Sequence, residues 1–145
     1  MDFEQLLKKD HEKASTLMKK IADSGEGAVK TREQNFEQLK SELQAHTAAE
    51  EEILYPALQE YEETRAMALE AIEEHKLVEQ LLDELDAMDV SSEEWTAKFT
   101  VLKENVEHHV EEEEDEMFKQ ARKVLGKEDA EELGKRLEEF KSAVH

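Results

Sequence analysis

The sequence predicts an all-α fold, an antiparallel up-down-up-down four-helix bundle with a short fifth C-terminal helix. Three observations predict it. One proline and four glycines among 145 residues leave long stretches free to be helical. Apolar residues recur every three or four positions, the period of a helix that buries one stripe. One stretch also occurs twice, 63 positions apart: Phe36, Leu39, Leu43, His46, Glu50, Glu51, Leu54 and Tyr55, then Phe99, Leu102, Val106, His109, Glu113, Glu114, Met117 and Phe118. A chain of this length forms one domain with a sizeable core. Residues 1–145 are therefore expected to be a single domain, with the bundle over about 1–125 and the last helix over about 128–143.

The first helix is expected over residues 2–23, with Leu7, His11, Ala14, Met18 and Ile21 as its seam. Ser24-Gly25-Glu26-Gly27 stops it. The second starts near Lys30, runs past Glu52 and carries Phe36, Leu39, Leu43, His46, Glu50, Ile53 and Ala57 inward. Pro56 removes a backbone donor and is expected to kink or end it near Tyr55, with a turn over residues 60–64. The third covers about 65–88, with seam Ala71, His75, Val78, Leu82 and Leu85, which is the first helix's seam shifted by 64. The chain therefore reads as two helical hairpins in tandem. Ser91 and Glu94 suggest a capping box for the fourth helix, about 92–124, whose seam is Phe99, Leu102, Val106, His109, Glu113 and Met117. Gly126 ends it, and Leu133, Leu137 and Phe140 form the stripe of a fifth helix that has no repeat partner and is expected to cap the bundle. Short connections make neighbouring helices antiparallel.

Composition narrows the function. Charged residues make up 40% of the chain and the formal net charge is −20, which repels phosphate backbones and argues against a nucleic-acid partner. No apolar run reaches the roughly 18 residues a membrane span needs. The N-terminus lacks a basic region and an apolar signal core, so a cytoplasmic location is the expectation. The absence of cysteine excludes disulfides, thiolate catalysis and Cys-ligated clusters.

The chemistry lies in the seams. Four of the six histidines stand there, one per bundle helix, at matching places in the repeat: His11, His46, His75 and His109. Glu50 and Glu113 follow His46 and His109 by four residues, on the same helix face. His108 and His145 fit no seam and read as surface residues. One seam histidine is ordinarily a core histidine satisfied by a hydrogen bond, and one inward Glu is ordinarily a specificity device. Four imidazoles and two carboxylates in one core, with no seam Lys or Arg to pair them, would each cost several kcal/mol in desolvation. Divalent cations neutralise the carboxylates and satisfy the imidazoles together. Six ligands exceed one tetrahedral zinc. They suit two metals bridged by Glu50 and Glu113, with iron favoured and manganese or zinc as alternatives. The Glu-x-x-His pattern of ferritin-type di-iron sites is absent.

The layout His11, His46-x3-Glu50, His75, His109-x3-Glu113 resembles the hemerythrin-like, or HHE cation-binding, domain family. So do the strings Lys9-Asp10-His11-Glu12, Glu50-Glu51-Glu52-Ile53-Leu54-Tyr55-Pro56, Glu74-His75-Lys76 and His109-Val110-Glu111-Glu112-Glu113-Glu114. The resemblance covers about residues 1–125 and implies a non-haem di-iron centre with an oxo or hydroxo bridge, open to dioxygen or a related small oxidant. Oxygen-carrying hemerythrins have a fifth histidine one turn after the third-helix histidine, where this chain has Glu79. Lys119 replaces a frequent proline, so a kink in the fourth helix is expected to be missing. Glu116 stands where the first copy has Ile53 and is expected to line an open end or support the ligands.

The leading expectation is a protein that binds or senses dioxygen or a related oxidant, or handles iron, in a pocket made apolar by Ile53, Leu54 and Met117. Turnover of peroxide or nitric oxide at the same centre is the alternative, and Glu79 leans slightly towards it. Storage ranks low, with one centre in 17 kDa. A purely structural bundle would hold no metal. No protein partner is evident.

Overall fold

The computed structural model describes residues 1–144; His145 lies outside the described residues. Helix α1 spans Phe3–Asp23, and its first turn is closed by a reciprocal box between Asp2 and Gln5. Helix α2, Val29–Ala49, passes without a break into a wide π turn, π1 (Glu50–Leu54), and then into α3, Tyr55–Gln59. Helix α4 covers Glu62–Asp86. Helix α5 (Glu93–Glu112), a second π turn π2 (Glu113–Met117) and α6 (Phe118–Val124) again form one continuous rod. Helix α7 is Lys127–Val144. No strand occurs among the described residues. α1 packs on α2 and α4 on α5, and the hairpins join through α1 against α5 and α2 against α4. This is the expected four-helix bundle with a fifth helix.

Several boundaries differ from the expectation. The second rod does not end at Tyr55. Pro56 falls in the first turn of α3, where its missing N–H costs little, and the backbone adjusts upstream as π1. The turn shrinks to Glu60 and Tyr61, because Thr64 Oγ1 donates to Leu58 O (2.6 Å) and Arg65 Nε to Gln59 O (2.8 Å), capping the end of α3. The cap of α5 is Ser92 rather than Ser91. Ser92 Oγ accepts from the Trp95 N–H (3.1 Å), while Ser91 donates its N–H and hydroxyl to Asp89 Oδ1 in a local turn. The fourth rod is distorted despite Lys119. Its π turn starts at Glu113, the repeat counterpart of Glu50, so no proline is needed to make it.

Two apolar clusters fill the bundle. One contains Ala14, Met18, Ile21, Phe36, Leu39, Leu82, Leu85, Trp95, Phe99 and Leu102. The other contains Phe3, Leu7, Leu54, Tyr55, Leu58, Phe118, Leu133 and Leu137. Between them lies a buried polar layer, in which every side chain must find a partner. α7 does not sit across the end of the bundle; it packs along the first hairpin, on α1, α2 and π1. Gly134 permits that approach, since a Cβ there would come within 2.7 Å of the Asp2 carbonyl carbon.

Candidate metal centre

The six polar seam residues meet in the middle of the bundle. His11, His46, His75, His109, Glu50 and Glu113 are all buried, with Glu50 fully so. α1 supplies His11, α2 His46 and α4 His75, while His109 closes α5. Glu50 and Glu113 each begin a π turn. A wide turn re-aims the residues that follow it, so a ligating position and then a run of core positions can share one rod. One donor atom from each of His11, His46, Glu50 and Glu113 lies within 4.8 Å of the others. Glu50, His75 and His109 form a second such group. Glu50 belongs to both.

The contacts follow the repeat. Glu50 Oε1 lies 3.2 Å from both His46 Nε2 and His75 Nε2. Glu113 lies 3.1 Å from His11 Nε2 and 3.4 Å from His109 Nε2. Each carboxylate thus bridges its own hairpin to the other. All four histidines turn Nε2 inward and give Nδ1 to a carboxylate: His11 to Glu114 (2.6 Å), His46 to Asp10 (3.0 Å), His75 to Glu51 (2.8 Å) and His109 to Glu74 (3.0 Å). Such partners fix the ring orientation and make the inward nitrogen a better ligand.

These four carboxylates were not assigned from the sequence. Their signal was positional: Asp10 and Glu74 directly precede His11 and His75, and Glu51 and Glu114 directly follow Glu50 and Glu113. Tyr55 was also missed. It is fully buried, its hydroxyl donates to Glu113 Oε2 at 2.8 Å, and the same oxygen lies 3.3 Å from His75 Nε2. Its repeat counterpart Phe118 has no hydroxyl and stacks flat on His11 at 6.2 Å.

The charge balance calls for cations. Both oxygens of Glu50 are buried without a hydrogen-bond partner, so the nearby imidazoles touch them without bonding. Burial opposes charge on Glu50, but the charge of the neighbouring His46 holds its carboxyl well below the usual range. Burial likewise opposes a proton on His46, yet the Glu50 charge and the Asp10 hydrogen bond raise its pKa to about 10. His109 is raised to about 11, against burial, by Glu113 and Glu74. Burial and the neighbouring carboxylates push the Tyr55 phenol up, so it stays protonated and able to donate. An orphaned carboxylate beside four inward imidazole nitrogens, backed by four further carboxylates, is a donor set that fits hard-to-borderline cations.

Other expected residues stand apart. Glu79 is in neither group; its Oε1 accepts from Gln44 Nε2 at 2.8 Å. Glu116 is exposed and lines an open cleft with Met67, Glu70, Glu74, His109, Glu112, Glu113 and Met117. His108 is exposed, 3.0 Å from Glu112. Ile53 and Leu54 pack in the apolar cluster, and the cavity against the four histidines is lined by other residues, so the expected apolar pocket is built differently. A cavity of about 30 Å³ touches His11, His46, His75 and His109 and is walled by Ala14, Leu43, Val78, Val106 and Val110 together with Asp10, Glu42 and Thr47.

Fold and site together define a metal-binding protein of the helical-bundle type. The chain belongs to the hemerythrin HHE cation binding domain family, whose model matches residues 2–121. It is similar to a crystal structure of a hemerythrin HHE cation binding domain-containing protein from Mycobacterium kansasii, with 26% identity and a TM-score of 0.84 over 99% of this chain and 89% of that one. An uncharacterized hemerythrin-like protein of Schizosaccharomyces pombe is 29% identical over 94% of this chain and 67% of its own length. A protein of Nostoc sp. named DNA nickase is 26% identical over 99% of this chain, which spans only 40% of that protein. The expectation of no nucleic-acid partner rests on charge alone, and a relative with that name lends it no support. No described helix is long and apolar enough to cross a membrane.

Proposed function

We propose that the chain is a non-haem di-iron protein that binds or senses dioxygen or a related small oxidant, or handles iron. His11 and His46 would hold one metal and His75 and His109 the other, with Glu50 and Glu113 shared between them. A bound iron pair supplies redox change and an open position for a small ligand. The chain's own residues supply the surroundings. The observation that carries the reading is the cavity of about 30 Å³ against all four histidines. It has room for little more than one water-sized molecule, and its mostly apolar walls favour an uncharged diatomic over a larger polar substrate. Asp10, Glu51, Glu74 and Glu114 orient the rings. Tyr55 brings one hydroxyl proton to the Glu113 side.

Azide titration of the iron-loaded protein, followed by optical absorption, tests this. Wild type should shift, and Val106→Phe, which fills the cavity, should keep its metal and lose the shift. A wild-type spectrum indifferent to azide contradicts the reading. The buried Tyr55 hydroxyl favours a second reading, turnover of peroxide or nitric oxide, since reduction of such ligands takes up protons. Steady-state peroxide consumption above that of free iron, abolished in His46→Ala, would support it.

A further inference from the structure

The two hairpins place equivalent residues around the centre, so each departure from that symmetry separates one metal position from the other. Asp10 and Glu74 are counterparts, each taking the Nδ1 proton of its hairpin's second histidine. Their surroundings differ. Asp10 also accepts from Lys141 Nζ on α7, and its side chain is 9% exposed. Glu74 borders the open cleft, its side chain is 29% exposed, and no lysine or arginine pairs with it among the described residues. The second departure is Tyr55 against Phe118. The His11 side is closed by a stacked phenyl ring, whereas the His75 side carries a hydroxyl. α7 has no repeat counterpart and packs on the first hairpin.

We propose that α7 is part of the centre, with Lys141 acting as a positioning residue that holds Asp10, and through it His46, so that the metal at His11 and His46 is released more slowly than the metal at His75 and His109. The inference rests on the two-metal reading above. Lys141 holds the Asp10 carboxylate fixed even though both residues line another open cleft, and a fixed carboxylate keeps His46 aimed inward. Gly134 stands seven residues, two helical turns, before Lys141. Its lack of a side chain sets α7 close enough to the Met1–Asp2 backbone for Lys141 to reach Asp10. His109 has no such lysine: its carboxylate partner Glu74 is part-buried at the rim of the open cleft.

The test loads the full chain with iron(II) and follows its extraction by ferrozine. Wild type should release two irons in two phases of equal amplitude. Lys141→Met should speed the slow phase about tenfold, at the lower end of what loss of a ligand's supporting partner does to metal affinity, and leave the fast phase alone. Gly134→Val, which lifts α7, should do the same, and Lys135→Met, which changes an exposed α7 lysine, should change neither. A single wild-type phase carrying two irons overturns the inference. So does equal acceleration of both phases by Lys141→Met, which a general loss of stability would produce, and so does no acceleration at all. A total amplitude of one iron overturns the two-metal reading, and the inequivalence with it.

Discussion

Raising the pH should destabilise the metal-free protein steeply. Folded, it holds protons on His46 and His109 that the unfolded chain releases near 6.5, because the buried carboxylates raise the two imidazoles to about 10 and about 11. Both folded values lie above the unfolded one. The stabilisation is therefore complete below about pH 6.5 and is lost as pH rises through the folded values. Each retained proton weighs about 1.4 kcal/mol per pH unit, so two weigh about 3 kcal/mol per unit. At about 2–4 °C per kcal/mol for a domain near this size, the melting temperature should fall by roughly 6–12 °C per unit between about pH 7 and pH 9. Glu50 works in the opposite direction. Its folded pKa lies well below the ordinary 4.5 of a glutamate, so its contribution is present above that value and lost on acidification. The assay is circular-dichroism melting of chelator-stripped protein at constant ionic strength. A melting temperature that stays flat or rises from about pH 7 to 9 would refute an imidazolium–carboxylate core. Metal-loaded protein, whose imidazoles ligate in the neutral form, should not show the fall.

Three substitutions probe other parts of the structure. Arg32 is buried and donates to Ser24 Oγ, Ser24 O, Val90 O and Thr96 Oγ1 at the far end of the bundle, with its guanidinium 5.1 Å from the Trp95 ring centre. Arg32→Met should cost about 1–3 kcal/mol in urea unfolding, since it strips donors from part-buried acceptors, and leave metal content unchanged; no measurable loss contradicts it. Glu79→Ala should keep the full metal complement by elemental analysis, because Glu79 pairs with Gln44; loss of a metal would place Glu79 in the centre. Tyr55→Phe should cost about 1–2 kcal/mol and shift the near-ultraviolet absorption of the loaded protein, and an unchanged spectrum would separate the hydroxyl from the metal.

The helices and the polar layer were legible because their signals repeat. Apolar spacing persists over each rod, and a polar interruption at the same register in both hairpins is hard to attribute to surface variation. The supporting carboxylates were not legible one by one, because 39 of 145 residues are acidic and Glu51 or Glu114 looks like its neighbours. The π turn, with its Tyr55 N–H bonded to Glu50 O, explains how Glu50 and Tyr55, five residues apart, are both buried. Pro56 pointed to a kink near the right place but not to the continuation into α3, because the π turn just before it takes up the missing N–H without ending the rod. Ser91 and Ser92 offered two adjacent caps, and the Asp89 side chain settled which one is used. Lys141 reaches Asp10 across 131 residues, a pairing no local pattern carries.

Metal content and optical spectra, measured on anaerobic and then aerated protein, test the central claim most directly. Two irons per chain and a near-ultraviolet charge-transfer band that develops on aeration are the predicted result. A single zinc with a featureless spectrum, or no metal and a melting temperature indifferent to chelator, would contradict it.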